Sequence, residues 1–169
     1  PSKEELMGIQ TPGAMTPEFP EPTFVLEDAQ ERVSEPYGGI RVGRVFRNGF
    51  FELYVDEVTG TVRVNDRMND RPVADGIVLV AREESLTAGV EKPDYTGRIF
   101  AMDVDRVELE ESGEVMATVL IAGKILSSPV QLRYQLYRTI PRVDVTLELQ
   151  WRDAKPMRVQ LVVPTPEAS

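Results

Sequence analysis

An all-β, antiparallel β-sandwich of about ten strands is the fold this sequence predicts, and three observations predict it. Between Pro129 and Trp151 two segments alternate with a period of two: Val130, Leu132, Tyr134 and Leu136 against Gln131, Arg133, Gln135 and Tyr137, then Val143, Val145, Leu147, Leu149 and Trp151 against Asp144, Thr146, Glu148 and Gln150. Alternation of this kind gives each strand one buried and one solvated face, as a sheet on a single core requires. Turn residues recur at short intervals, and almost nothing carries the 3.6-residue period of a helix.

The first 22 residues hold Pro12, Pro17, Pro20 and Pro22 with little periodicity, so residues 1–22 read as an extended lead-in or linker. The missing initiator methionine suits an excised segment. Strand signals then follow at Thr23–Leu26, Ile40–Val45, Phe50–Val55, Thr61–Val64, Ile77–Ala81, Ile99–Val104, Arg106–Glu111, Val115–Ala122, Pro129–Tyr137, Arg142–Trp151 and Met157–Val163. Asn48-Gly49, Thr59-Gly60, Ser112-Gly113 and Gly123-Lys124 supply turn residues, while Pro141 and Pro156 stand at strand starts that tolerate a missing N–H. Leu26–Ser34 offers the one helical turn, Ala81–Val90 is an ambiguous loop, and Val90–Arg98 is a polar loop. The domain therefore spans residues 23–164, with a tail at 165–169.

Composition excludes several function classes. The chain has no cysteine and no histidine, which removes disulfides, thiol nucleophiles, imidazole bases and the usual zinc ligands together. A net charge of −9 argues against a phosphate backbone as partner, since nucleic-acid binding draws on clustered Lys and Arg. No apolar run approaches the roughly 20 residues that cross a bilayer, and no signal-peptide pattern opens the chain. A soluble protein is expected, with the cytoplasm favoured as its compartment. High charge with few asparagines points toward a thermophilic source. Neither a Gly-rich phosphate loop nor a Gly-x-Ser-x-Gly elbow occurs, and no cofactor is expected.

The string from Asn48 through Phe50-Phe51-Glu52-Leu53-Tyr54-Val55-Asp56, then Thr59-Gly60 and Asp66, resembles the opening of the β-sandwich that follows the catalytic barrel in glycoside hydrolase family 38, the α-mannosidases. Glu111-Ser112-Gly113-Glu114-Val115-Met116-Ala117 is similar to a later strand pair of that family. Tyr134-x-Leu136-Tyr137, Pro141-Arg142-x-Asp144 and Glu148-x-x-Trp151 follow in the family's order, so the resemblance runs from about Gly39 to Val163. The chain departs from the pattern at Arg152-Asp153-Ala154-Lys155-Pro156 and lacks the zinc-binding barrel. The resemblance implies a galactose-mutarotase-like supersandwich without catalytic residues of its own: a carbohydrate-binding or accessory module. The partner it implies is a saccharide, of mannose type, or a catalytic domain to dock against; the alternative is a structural domain that docks a barrel or self-associates without binding glycan.

Sugars are held by aromatic faces framed by hydrogen-bonding side chains, and two places offer this. One is Asp94, Tyr95 and Arg98, an aromatic between opposite charges, at a point where the resemblance brings a loop near the sugar site. The other is the polar face of Arg133, Gln135 and Tyr137 beside Asp144, Thr146, Glu148 and Gln150, whose bland alternative is a solvated or domain-covered face. Trp151 shares the parity of the apolar row and is expected in the core. Phe50 and Phe51 must point to opposite faces, and an exposed one would mark a partner surface, as would an apolar patch beside Tyr54. Asp103, Asp105, Glu108, Glu110 and Glu111 are read as a solvated strand edge ahead of a calcium site or carboxylate pair, and Asn65-Asp66-Arg67 with Asn69-Asp70-Arg71 as a polar hairpin connection ahead of a metal loop.

Overall fold

The computed structural model describes residues 29–34, 40–85 and 94–166, with side chains described from Gly43 onward. The chain is all-β, with eleven strands in these segments: β1 Ala29–Ser34, β2 Ile40–Arg47, β3 Phe51–Asp56, β4 Val62–Asp66, β5 Arg71–Ser85, β6 Asp94–Ala101, β7 Asp103–Ser112, β8 Met116–Ile125, β9 Ser128–Tyr137, β10 Val143–Leu149 and β11 Met157–Val162. All pairings are antiparallel. One sheet runs β1-β2-β3-β4-β5-β11 with β6 also on β5, and the second runs β10-β9-β8-β7. Among the described residues no helix is long and apolar enough to cross a membrane.

The core lies between the two inner faces, where Phe46, Leu53, Val55 and Val62 of the first sheet meet Val119, Ile121, Leu132, Tyr134 and Leu136 of the second. Strand β9 keeps the predicted period to the letter, its even residues buried and its odd residues half-buried. Strand β8 departs from it, because Thr118, Leu120 and Ala122 on its outer side are buried as well. In register Leu120 stands between Glu108 and Arg133, so long side chains from both neighbours close over it.

Several expectations are corrected. Leu26–Ser34 is not a helical turn over its described part: Ala29–Ser34 pairs with Ile40–Val45, and pairing of a whole strand outweighs a local helical preference. Thr23–Leu26, like the lead-in, lies outside the described residues. Strand β5 extends far beyond Ile77–Ala81 on both sides, so the described part of the expected Ala81–Val90 loop, up to Ser85, is strand held by β6 and β11. Its first part pairs with β4 and its last part with β6 and β11. Gly76 at φ 96 lies within the β4-paired part, at the register shift where Val62 pairs with Ile77 and Arg63 with Asp75. The polar run ending at Arg98 is strand over Asp94–Arg98, paired with β5 across a register shift near Gly97, φ 91. Met102 breaks the expected Ile99–Val104 strand, and Asp103–Ser112 is continuous.

Gly123-Lys124 is no turn either. The β8–β9 turn falls at Leu126-Ser127, with Leu126 at φ 54, and Gly123 lies inside β8 where the β7 backbone crosses so closely that a Cβ would stand 2.0 Å from the Asp103 carbonyl oxygen. Phe50 is buried and Phe51 packs against the core, so neither marks a partner surface. Tyr54 is half-buried and its ring lies against Gly43.

Candidate functional site

The outer face of the second sheet brings the predicted polar residues together. Thr146 is the register partner of Arg133, and Asp144 that of Gln135. Arg133 donates from Nε to Glu110 Oε2 at 2.8 Å and from Nη2 to Oε1 at 3.2 Å, and its Nη1 lies 3.4 Å from Glu148 Oε1. One planar guanidinium thus links β7, β9 and β10 over Leu120. The hydrogen bonds from Arg133 hold the Glu110 carboxyl below the usual carboxylate range. Tyr137 donates its hydroxyl to Asp144, Arg142 Nε lies 3.0 Å from Asp144 Oδ1, and the Arg142 guanidinium sits 4.9 Å from the Tyr137 ring centre. Arg133, Tyr137 and Glu148 therefore spend their polar groups on one another and on Asp144, Arg142 and Glu110. Gln135 stands in register between Thr118 and Asp144.

Asp94, Tyr95 and Arg98 share one strand but not one site. Tyr95 is 38% exposed, and Arg158 of β11 lies 5.9 Å from its ring centre. Arg98 instead lies 3.8 Å from Glu83 Oε2, which also accepts from Thr96 Oγ1 at 2.9 Å, while Lys155 Nζ lies 3.4 Å from Oε1. The Thr96 hydroxyl, then Lys155 and Arg98, hold Glu83 below its ordinary range. Asp94 turns its Oδ1 to the Tyr95 N–H at 2.9 Å. What sequence reasoning missed here is Glu83, from the preceding strand β5, and Arg158, from β11, for which no spacing rule exists.

Trp151 is not a core residue. It is 36% exposed and lies past the end of β10, where Gln150 N–H donates to Pro129 O at 3.0 Å and closes the ladder. Leu147 is likewise 37% exposed although its register partner Leu132 is 1% exposed. The segment after Trp151 is fastened instead through Asp153, which accepts from Ser127 Oγ and Ser128 Oγ, each at 2.5 Å. Those bonds hold Asp153 below its ordinary range.

Asp103, Glu108, Glu110 and Glu111 are exposed edge carboxylates, and among the described residues no group of three or more metal-ligating side chains forms. Asp105 falls at a register shift between Val104 and Arg106. The repeated Asn-Asp-Arg segment is the β4–β5 connection: Asp66 Oδ1 accepts from Met68 N at 2.9 Å and Asn69 N at 3.2 Å, and Oδ2 from Asn69 Nδ2 at 2.7 Å. Chiefly the Asn69 side chain holds Asp66 low. No family model and no curated protein matches this chain.

Proposed function

We propose that the chain is a non-catalytic accessory β-sandwich module of an α-mannosidase-like glycoside hydrolase, acting by docking a companion domain of that protein. One observation carries the reading: although Val143, Val145 and Leu149 of β10 pack against the core, cover fails at Leu147 and beyond the strand end. Inner residues of β9 are 0–1% exposed, whereas on β10 Leu147 reaches 37%, and beyond the strand Trp151 reaches 36%. On β11 of the first sheet Val162, on the face away from the core-packed Val159 and Leu161, is 37% exposed, and Val163 past the strand is 49% exposed. Large apolar side chains left uncovered at a strand and its end are what an interaction surface offers a partner. The carbohydrate context rests on the ordered resemblance, and contacts between its pieces support it: Tyr137, Arg142 and Asp144 form one cluster, and Asn48 Nδ2 donates to Tyr137 O at 3.3 Å.

The test is hydrogen exchange at β10 and β11, compared between this chain and the complete product of its gene. Slower exchange of Val145–Leu149 and Val159–Val162 in the complete product is expected. Equal exchange in both removes the docking reading, and a concentration-dependent dimer of this chain that protects the same amides replaces it with self-association.

A second reading, saccharide contact, is favoured at Tyr95, whose ring is partly open to solvent and backed by Arg158. Calorimetric titration with manno-oligosaccharides checks it. Heat that vanishes in Tyr95→Ala is the expected result, and no heat removes the reading.

A further inference from the structure

On the outer face of the first sheet, at the end where β3, β4 and β5 meet, lies a cavity of about 330 Å3. Its floor is a cross-strand row, Glu52 beside Asn65 beside Pro72. Its rim is the β4–β5 turn, which contributes Arg67, Asp70 and Arg71. Part of this lining is already spent. Arg47 and Asn65 Nδ2 engage Glu52, Arg67 Nη1 donates to Asn48 O at 2.6 Å, and Asp66 is consumed by the turn itself. The rest is not. Among the described residues the Asp70 carboxylate has no hydrogen bond or ion pair, and Arg71 approaches Asp66 only to 4.0 Å, beyond hydrogen-bond reach. Asp70 is moreover held at φ 49, a left-handed conformation that the turn imposes on it.

We propose that this cavity binds a neutral, hydroxyl-rich ligand, a single sugar ring. Charge argues for neutrality: Glu52, Asp66 and Asp70 disfavour a phosphate or carboxylate, while Arg67 and Arg71 disfavour a bare cation. Functional-group geometry argues for hydroxyls, because carboxylate and guanidinium are planar and bidentate and so match neighbouring hydroxyls on a ring, one as acceptor and the other as donor. The Pro72 ring supplies an apolar surface for C–H groups. Size argues for one ring, since ligand sites begin at about 300 Å3. Affinity is of millimolar order, because each hydroxyl exchanges a bond to water for one to protein. This site lies apart from both β10–β11 and Tyr95, so the readings fail separately.

The experiment follows backbone amide shifts of the isotopically labelled 169-residue protein, titrated in turn with methyl α-D-mannopyranoside, methyl β-D-glucopyranoside, inorganic phosphate and calcium chloride. Saturable shifts at Asn65–Arg71 with at least one glycoside, and none with phosphate or calcium, are expected. Asp70→Asn keeps a residue that tolerates the left-handed turn while removing the charge, and Arg71→Gln removes the guanidinium; each should weaken the glycoside at least tenfold with shifts elsewhere unchanged. Absence of saturable shifts with both glycosides overturns the proposal. So do a stronger response to phosphate or calcium, shifts confined to Tyr95 and Arg158, or unaltered affinity in both variants.

Discussion

Asn48 shows how much one side chain carries. It is fully buried, its Oδ1 accepts from Phe50 N at 2.9 Å and Phe51 N at 2.7 Å, and its Nδ2 reaches Tyr137 O in the opposite sheet. It thereby closes the β2–β3 hairpin and ties that hairpin to β9. Asn48→Ala leaves buried amide and carbonyl groups without partners, and a loss of about 2–3 kcal/mol in urea unfolding is expected. A loss below about 0.5 kcal/mol would mean that the turn holds without the amide. The pair Asn48-Gly49 was legible as a turn from sequence, because turn chemistry is local. That the same amide spans the sandwich was not, since its partner lies 89 residues away.

At the scale of elements, strands with strict alternation were the most legible, β9 above all, because one side of β9 is buried along its whole length. Strands β5 and β6 were less so. Their glycines signal interruption in a one-dimensional pattern, yet a sheet accepts an irregularity where neighbouring strands hold the chain on both sides. Gly123 is the counterpart: a glycine that signals a turn but stands mid-strand because the β7 backbone needs its space. Gly123→Ala forces β7 and β8 apart and should cost about 2 kcal/mol or more, read from the thermal midpoint. Gly97→Ala meets no atom within 4 Å and pays only for its positive φ, about 1 kcal/mol. Equal losses in the two variants would sink the close-approach account of Gly123.

For the whole molecule, carboxylates held low by their partners set the response to acid. Asp66, Glu83, Glu110 and Asp153 all have folded values below their ordinary ones. A depressed carboxylate contributes stability that is fully present above the unfolded value, about 3.9 for Asp and 4.3 for Glu, and is lost as pH falls through the folded value. The thermal midpoint should therefore be nearly level between about pH 7 and 5 and fall below about pH 4. Arg133→Gln removes the main cause of the Glu110 shift and should make that fall shallower. A midpoint that rises on acidification from pH 5 contradicts this assignment. The candidate sites show the same limit of sequence reading. The register that sets Arg133 beside Thr146 follows from two alternating strands, whereas Glu110, Arg158 and Glu83 reach their partners only after distant strands are assembled.

What the sequence determined by itself is the all-β class, most strand positions and the separation of wet from dry faces, because the period of two and the turn residues act over a few neighbouring residues. Only the tertiary structure decided which strands share a sheet, that Trp151 and Leu147 lie uncovered, that Arg133, Tyr137 and Glu148 pair with neighbouring charges, and that Glu52, Asn65 and Pro72 form the floor of a cavity. Those outcomes depend on contacts across strands and between sheets, and such contacts have no fixed spacing along the chain.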